Sequence, residues 1–150
     1  MGANTYENVR LGAKFKRSSP ASLGDVINVT RYLEGDEPQT AAKFTTPFFI
    51  ADAPCELIAV AERHEVAGSD GSAVTVMVKK VPSATAPASG SDMLSAGVSL
   101  KGAANTNLAG ALHATIANRQ LGEGDALALV LTGTPTSLIG VTVRCRLRYL

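Results

Sequence analysis

Two histidines, His64 and His113, two cysteines, Cys55 and Cys145, and thirteen Asp and Glu residues are the material from which this chain could build a catalytic or metal site. A nucleophilic triad needs a Ser, Cys or Thr beside a His. Neither histidine is flanked by a known motif, and no Gly-x-Ser-x-Gly elbow occurs. His64 closes a strand-like run beside charged residues and is expected to be exposed. His113 lies within a strand-like run, where a satisfied core or interface histidine is expected. Zinc ligands come in closely spaced pairs, and there is no C-x-x-C and no H-x-x-x-H. Ser69-Asp70-Gly71-Ser72 offers calcium a single carboxylate. Glu34, Asp36 and Glu37 form a small acidic cluster, better read as a solvated loop than as a calcium site. Gly122-Glu123-Gly124-Asp125 is a poor phosphate cradle, because its carboxylates repel an anion. Glu56 and Glu62, taken as one regular strand, fall on the same face roughly 20 Å apart, too far for either glycosidase geometry. No constellation supports an enzyme, and no cofactor is implied.

The elements that would carry a function are β-strands. The chain's 150 residues suit one domain, and a chain of that size buries roughly 70% of its unfolded surface without staples. Fourteen Gly and seven Pro are too many for a helical bundle and fit short strands joined by turns. Strand-like runs recur at 26–33, 43–50 (broken or made an edge by Pro47), 55–66, 73–81, 111–118, 126–131 and 141–150, with 93–101 either a strand or irregular. Residues 55–66 and 73–81, separated by Gly68 to Ser72, read as a β-hairpin. Residues 82–92 are a loop of small residues. The expected fold is an all-β sandwich, jelly-roll-like or Greek-key, over residues 25–150, preceded by an extended N-terminal arm at 1–24.

Cys55 and Cys145 are expected to be buried thiols in a reducing compartment, with a cross-strand disulfide the alternative. The N-terminal residues show no signal-peptide core, Tyr6 stands where a myristoylation signal needs Ser or Thr, and no apolar run approaches the length of a membrane span. No membrane association is expected, and the Asn28-Val29-Thr30 sequon is read as chance. A net charge of +1, no Trp and 5% aromatic residues argue against nucleic acid as a partner.

Two basic features remain. Arg10, Lys14, Lys16 and Arg17 cluster in the N-terminal arm, which is either a solvated tail or an arm laid on an acidic neighbour. The last run has the cleanest alternation in the chain. Val141, Val143, Cys145, Leu147 and Tyr149 point one way, and Thr142, Arg144, Arg146 and Arg148 the other. The arginine stripe either pairs with carboxylates on a partner or guards a strand against edge pairing.

The second half of the chain, from Met93-Leu94-Ser95-Ala96-Gly97-Val98-Ser99-Leu100-Lys101-Gly102 through Leu121-Gly122-Glu123-Gly124-Asp125 to Leu138-Ile139-Gly140-Val141-Thr142-Val143, resembles capsid decoration (cement) proteins of tailed bacteriophages. The likeness runs over about residues 43–150 and rests on strand-and-turn patterns. It implies a non-enzymatic virion protein without cofactor, made in the host cytoplasm. Such a protein sits on the capsid exterior, often as a homotrimer, and clamps neighbouring copies of the major capsid protein. On that implication the partner-binding residues are Arg10, Lys14, Lys16, Arg17, Arg144, Arg146 and Arg148. The alternatives are another phage virion component (head fibre, tail or baseplate β-domain) or a carbohydrate-binding jelly-roll module.

Overall fold

A computed structural model describes residues 23–33 and 45–150. The chain forms two antiparallel sheets packed face to face, the all-β sandwich expected. Sheet A runs in the order β1 (Val26–Leu33), β10 (Val141–Tyr149), β3 (Cys55–Arg63) and β7 (Leu108–Gly110), with β8 (Gln120–Leu121) also pairing with β3. Sheet B runs β2 (Thr46–Ile50), β9 (Ala126–Thr132), β4 (Thr75–Val81) and β5 (Ser91–Asp92), with β6 (Val98–Ser99) also on β4. The first four strands therefore alternate between the sheets, whereas β4 and β9 pair within sheet B.

The alternation read from the sequence sets the core. Val141, Val143, Cys145, Leu147 and Tyr149 of β10 are buried, and Arg144, Arg146 and Arg148 are exposed. Facing them across the core are Val76 and Val78 of β4 and Leu127, Leu129 and Leu131 of β9. Each such side chain contributes roughly 1.5–3 kcal/mol by leaving water. In β9, Ala128 on the other face is buried too, as the unbroken apolar run implied. Met93, Leu94 and Leu100, from the irregular stretch 93–101, plug the sandwich between the sheets. Pro47 lies in β2, which is an edge strand of sheet B, and the register slips between Pro47 and Phe49.

Three expectations need correction. Strands β3 and β4 do not form a hairpin, since β3 belongs to sheet A and β4 to sheet B. The connection, residues 64–74, is long for a hairpin and carries the chain from one sheet to the other. It is held by Gly68 N–H donating to the Leu100 carbonyl and Ser69 N–H to the Thr136 carbonyl, both at 2.9 Å. Apolar alternation told that both strands face a core, which is equally true of strands facing each other across it.

Residues 111–118 are not a strand. Leu112 makes one bridge to Leu94, and the chain then turns into the short helix α1 (Ile116–Arg119). His113 Nδ1 accepts the Thr115 N–H at 3.1 Å, a local bond that draws the backbone away from a ladder.

Glu56 and Glu62 do not share a face. On β3, Leu57 opposes Leu147 but Ala59 opposes Arg146, so Ile58 is an extra residue, a β-bulge. The bulge inverts the facing of everything after it. Cys55 and Leu57 point inward before it, and Val60, Glu62 and His64 point inward after it. His64, expected at the surface, is fully buried for this reason.

Candidate partner-binding face

The same bulge builds the outer face of sheet A. Beyond Ile58, the residues of β3 that turn outward are Ala59, Ala61 and Arg63. They lie beside Arg146, Arg144 and Thr142 of β10, which in turn oppose Asn28, Thr30 and Tyr32 of β1. On the far side Ala109 of β7 opposes Ala61. The face is therefore a low floor of alanines and short polar residues from which long arginines rise.

Among the described residues, Arg63, Arg144 and Arg146 have no ion pair and no side-chain hydrogen bond. Arg148 is engaged, with Nη2 donating to Glu56 Oε2 at 2.8 Å. Glu56 also takes Arg119 Nη2 on its other oxygen at 3.0 Å, tying α1 to the sheet. The guanidinium of Arg148 remains about half exposed. Consecutive arginines on β10 stand about 7 Å apart, so each neighbouring pair repels by about 0.6 kcal/mol even in bulk water.

An edge-guarding role for these arginines is excluded by position. Strand β10 is flanked on both sides, by β1 and β3, and exposes no edge to guard.

At the end of the face nearest residue 63 lies an open cleft of about 270 Å³. Arg63, Arg144, Thr30, Thr142, Ala61 and Asn107 line it, together with the buried Glu62. Asn107 sits there because of the buried pair beneath. His64 Nε2 donates to the Gly102 carbonyl at 3.2 Å, and the His64 carbonyl accepts the Asn105 N–H at 2.7 Å. This pins the segment that leads into β7. Because a carbonyl only accepts, Nε2 carries a proton, and one further proton is shared between Nδ1 and Glu62 Oε1 at 3.0 Å. Burial pushes the Glu62 carboxyl above its usual range, and the His64 contact works against that rise. Glu62 Oε2 is buried without a partner.

The thiols are inert. Burial pushes Cys145 up to about 12. Burial, then the Asp52 and Asp125 charges, push Cys55 up to about 11. Neither is a thiolate near neutral pH, which leaves both poor nucleophiles. Cys55 opposes Tyr149 and Cys145 opposes Val60, which separates them by roughly 13 Å and rules out a disulfide. Among the described residues no group of three or more His, Cys, Asp and Glu could hold a metal ion, and no helix is long and apolar enough to cross a membrane.

Of the residues singled out from the sequence, Arg144, Arg146 and Arg148 share the outer face of sheet A. Arg10, Lys14, Lys16 and Arg17 lie outside the described residues, as does the acidic cluster Glu34 to Glu37. Arg63, Asn107 and Thr30 were not anticipated, because their placement depends on the bulge and on which strands pair.

No protein-family model matches the chain, and no curated protein does. Among solved structures it is similar to a chain described as "Cyanophage Pam1 capsid asymmetric unit", with a TM-score of 0.54 at 10% sequence identity. The match covers 92% of this chain and 96% of the other. At that identity the likeness is one of fold, running nearly end to end in both chains.

Proposed function

We propose that the chain is a structural virion protein that binds the outer surface of an assembled phage capsid and clamps neighbouring capsid subunits. It performs no reaction and uses no cofactor. The observation that carries this reading is the outer face of sheet A, where three arginines that have no partner among the described residues stand on the central strands of the sheet. A face of that kind keeps its repulsion unless a partner supplies carboxylates. The fold likeness to a chain from a cyanophage capsid supports the choice of partner. The strand order, with β1 beside β10 in one sheet and β2 beside β9 in the other, supports taking the sandwich as a jelly roll. His64 argues against catalysis, because both its ring nitrogens are engaged and it is sealed from solvent.

The partner is the major capsid protein, and the working unit is a homotrimer at a symmetry axis of the shell. The test is to look for the chain by immunogold labelling on purified, intact particles, and then to sediment purified protein with emptied shells and with dissociated capsid subunits. Gold on the outside of particles and pelleting with shells alone bear the reading out. Absence from purified particles sinks it. Light scattering at several concentrations checks the trimer.

A further inference from the structure

We infer that the cleft between Arg63 and Arg144 is a carboxylate socket, and that the arginine ladder beside it selects an extended acidic segment with a carboxylate at every second residue. This deepens the reading above by giving the partner's chemistry, and rests on it only in taking the partner to be a protein.

Three features of the face combine. The first is the socket. Arg63 and Arg144 come from neighbouring strands, offset by two residues in register, and open on the same cleft. Thr30, Thr142 and Asn107 add short polar groups, so an incoming carboxylate meets neutral donors as well as two guanidiniums, and the one acid that also lines the cleft, Glu62, is buried with its carboxyl pushed toward the protonated form. Ala61 keeps the floor low enough for a side chain to enter. At about 270 Å³ the cleft holds one acidic side chain and its backbone rather than a duplex.

The second is the repeat. Arg144, Arg146 and Arg148 recur every second residue, about 7 Å apart, which is the repeat of alternate side chains on any extended chain. A segment laid along β10 with acids at alternate positions meets a guanidinium with each of them. A helix, rising about 5.4 Å per turn, falls out of step.

The third is balance. The chain as a whole carries only +1 and lacks Trp, and the one large exposed aromatic on this face is Tyr32. Phosphate polymers are held by a basic excess spread over a wide surface and by stacking rings, whereas here the basic residues form one narrow ladder on a chain of nearly balanced charge, with little to stack on.

The test uses the full chain and three labelled probes read by fluorescence anisotropy at low and moderate salt. The probes are an alternating Glu-Ser peptide, a peptide of identical composition with all its Glu contiguous, and a DNA duplex of matched charge. The alternating peptide is expected to bind severalfold tighter than the blocked one, and tighter than DNA. Arg144→Gln and Arg63→Gln should each weaken it about tenfold, as expected for losing one charge-assisted contact. Arg144→Lys should fall between, since it keeps the charge and loses the fork. Lys101→Gln, which removes a charge away from this face, should change it less than twofold.

Both arginines are exposed and unpaired, so their variants should melt with the parent protein, which a thermal scan checks. Equal binding of the two peptides, equal loss in Lys101→Gln, or tighter binding of DNA overturns the inference. Peptide selectivity without shell binding keeps the socket and overturns the capsid reading. Shell binding that survives Arg63→Gln and Arg144→Gln together does the reverse.

Discussion

On sheet B, Lys79 reaches Asp92 at 2.9 Å and the Gly90 carbonyl at 3.1 Å, and Lys80 donates to the Ala117 carbonyl at 3.2 Å. On sheet A, Arg63, Arg144 and Arg146 make no ion pair and no side-chain hydrogen bond among the described residues. The inner faces differ in the opposite sense. Sheet B turns only Val and Leu toward the core from the middle of β4 and β9, whereas sheet A buries Glu62 and His64. One sheet settles its charges outside and is plain within. The other keeps its outer charges open and carries a polar pair within, and that pair holds the segment bearing Asn107 at the rim of the cleft. Unpaired charge and buried polarity thus coincide on one sheet, and each costs free energy that an apolar or neutral residue would not.

The contrast can be broken from the inside. His64→Ala strands Glu62 in the core and should cost about 3–5 kcal/mol, read as a fall in the urea midpoint, and should also loosen the 102–107 segment in hydrogen exchange. A loss under 1 kcal/mol would mean that the pair is incidental to sheet A. Glu62→Gln sharpens the same point through pH. Burial holds the folded-state pKa of Glu62 above the ordinary carboxyl value of about 4.5, so folded protein holds its proton where unfolded chain has released it. Stability from this group is full below pH 4.5 and is lost as pH rises through the folded value. The parent should therefore lose ground to Glu62→Gln as pH climbs from 4.5, and the two should converge below it, in urea unfolding at a series of pH values.

On the outer face, Glu56→Gln removes the anion shared by Arg148 and Arg119, whose Nε is already buried without a partner, and should cost about 1–3 kcal/mol. The smallest effect belongs to sheet B. Asp92→Asn breaks an ion pair whose acid is about half exposed, and should move the midpoint by less than about 1 kcal/mol while leaving partner binding untouched.

Much of this architecture was legible before the structure. The buried and exposed residues of β10 follow the alternation of its sequence position by position, and the Pro47 strand is an edge. Three things were not. Alternation reports which way a side chain faces but not which strand lies beside it, so β3 and β4 could be taken for neighbours. A single inserted residue reverses facing from that point on, and the only trace of it is that neither the odd nor the even residues of 55–64 are consistently apolar, Leu57 and Val60 falling in different sets. Ala and Asn between 111 and 118 gave no firm period, and a local bond to His113 decided the turn. The stripe of Arg144, Arg146 and Arg148 was therefore visible from the sequence. The socket, which needs Arg63 on the same side, was not.

The pairing of β1 with β10 has a consequence for synthesis. The first strand of sheet A finds its neighbour only in residues 141–149, and β3 has the same strand as its main partner. Sheet A can therefore close only after residue 149 has left the ribosome, and the arginine face does not exist on any shorter nascent product. A chain interrupted before residue 141 would carry Arg63 but have no ladder.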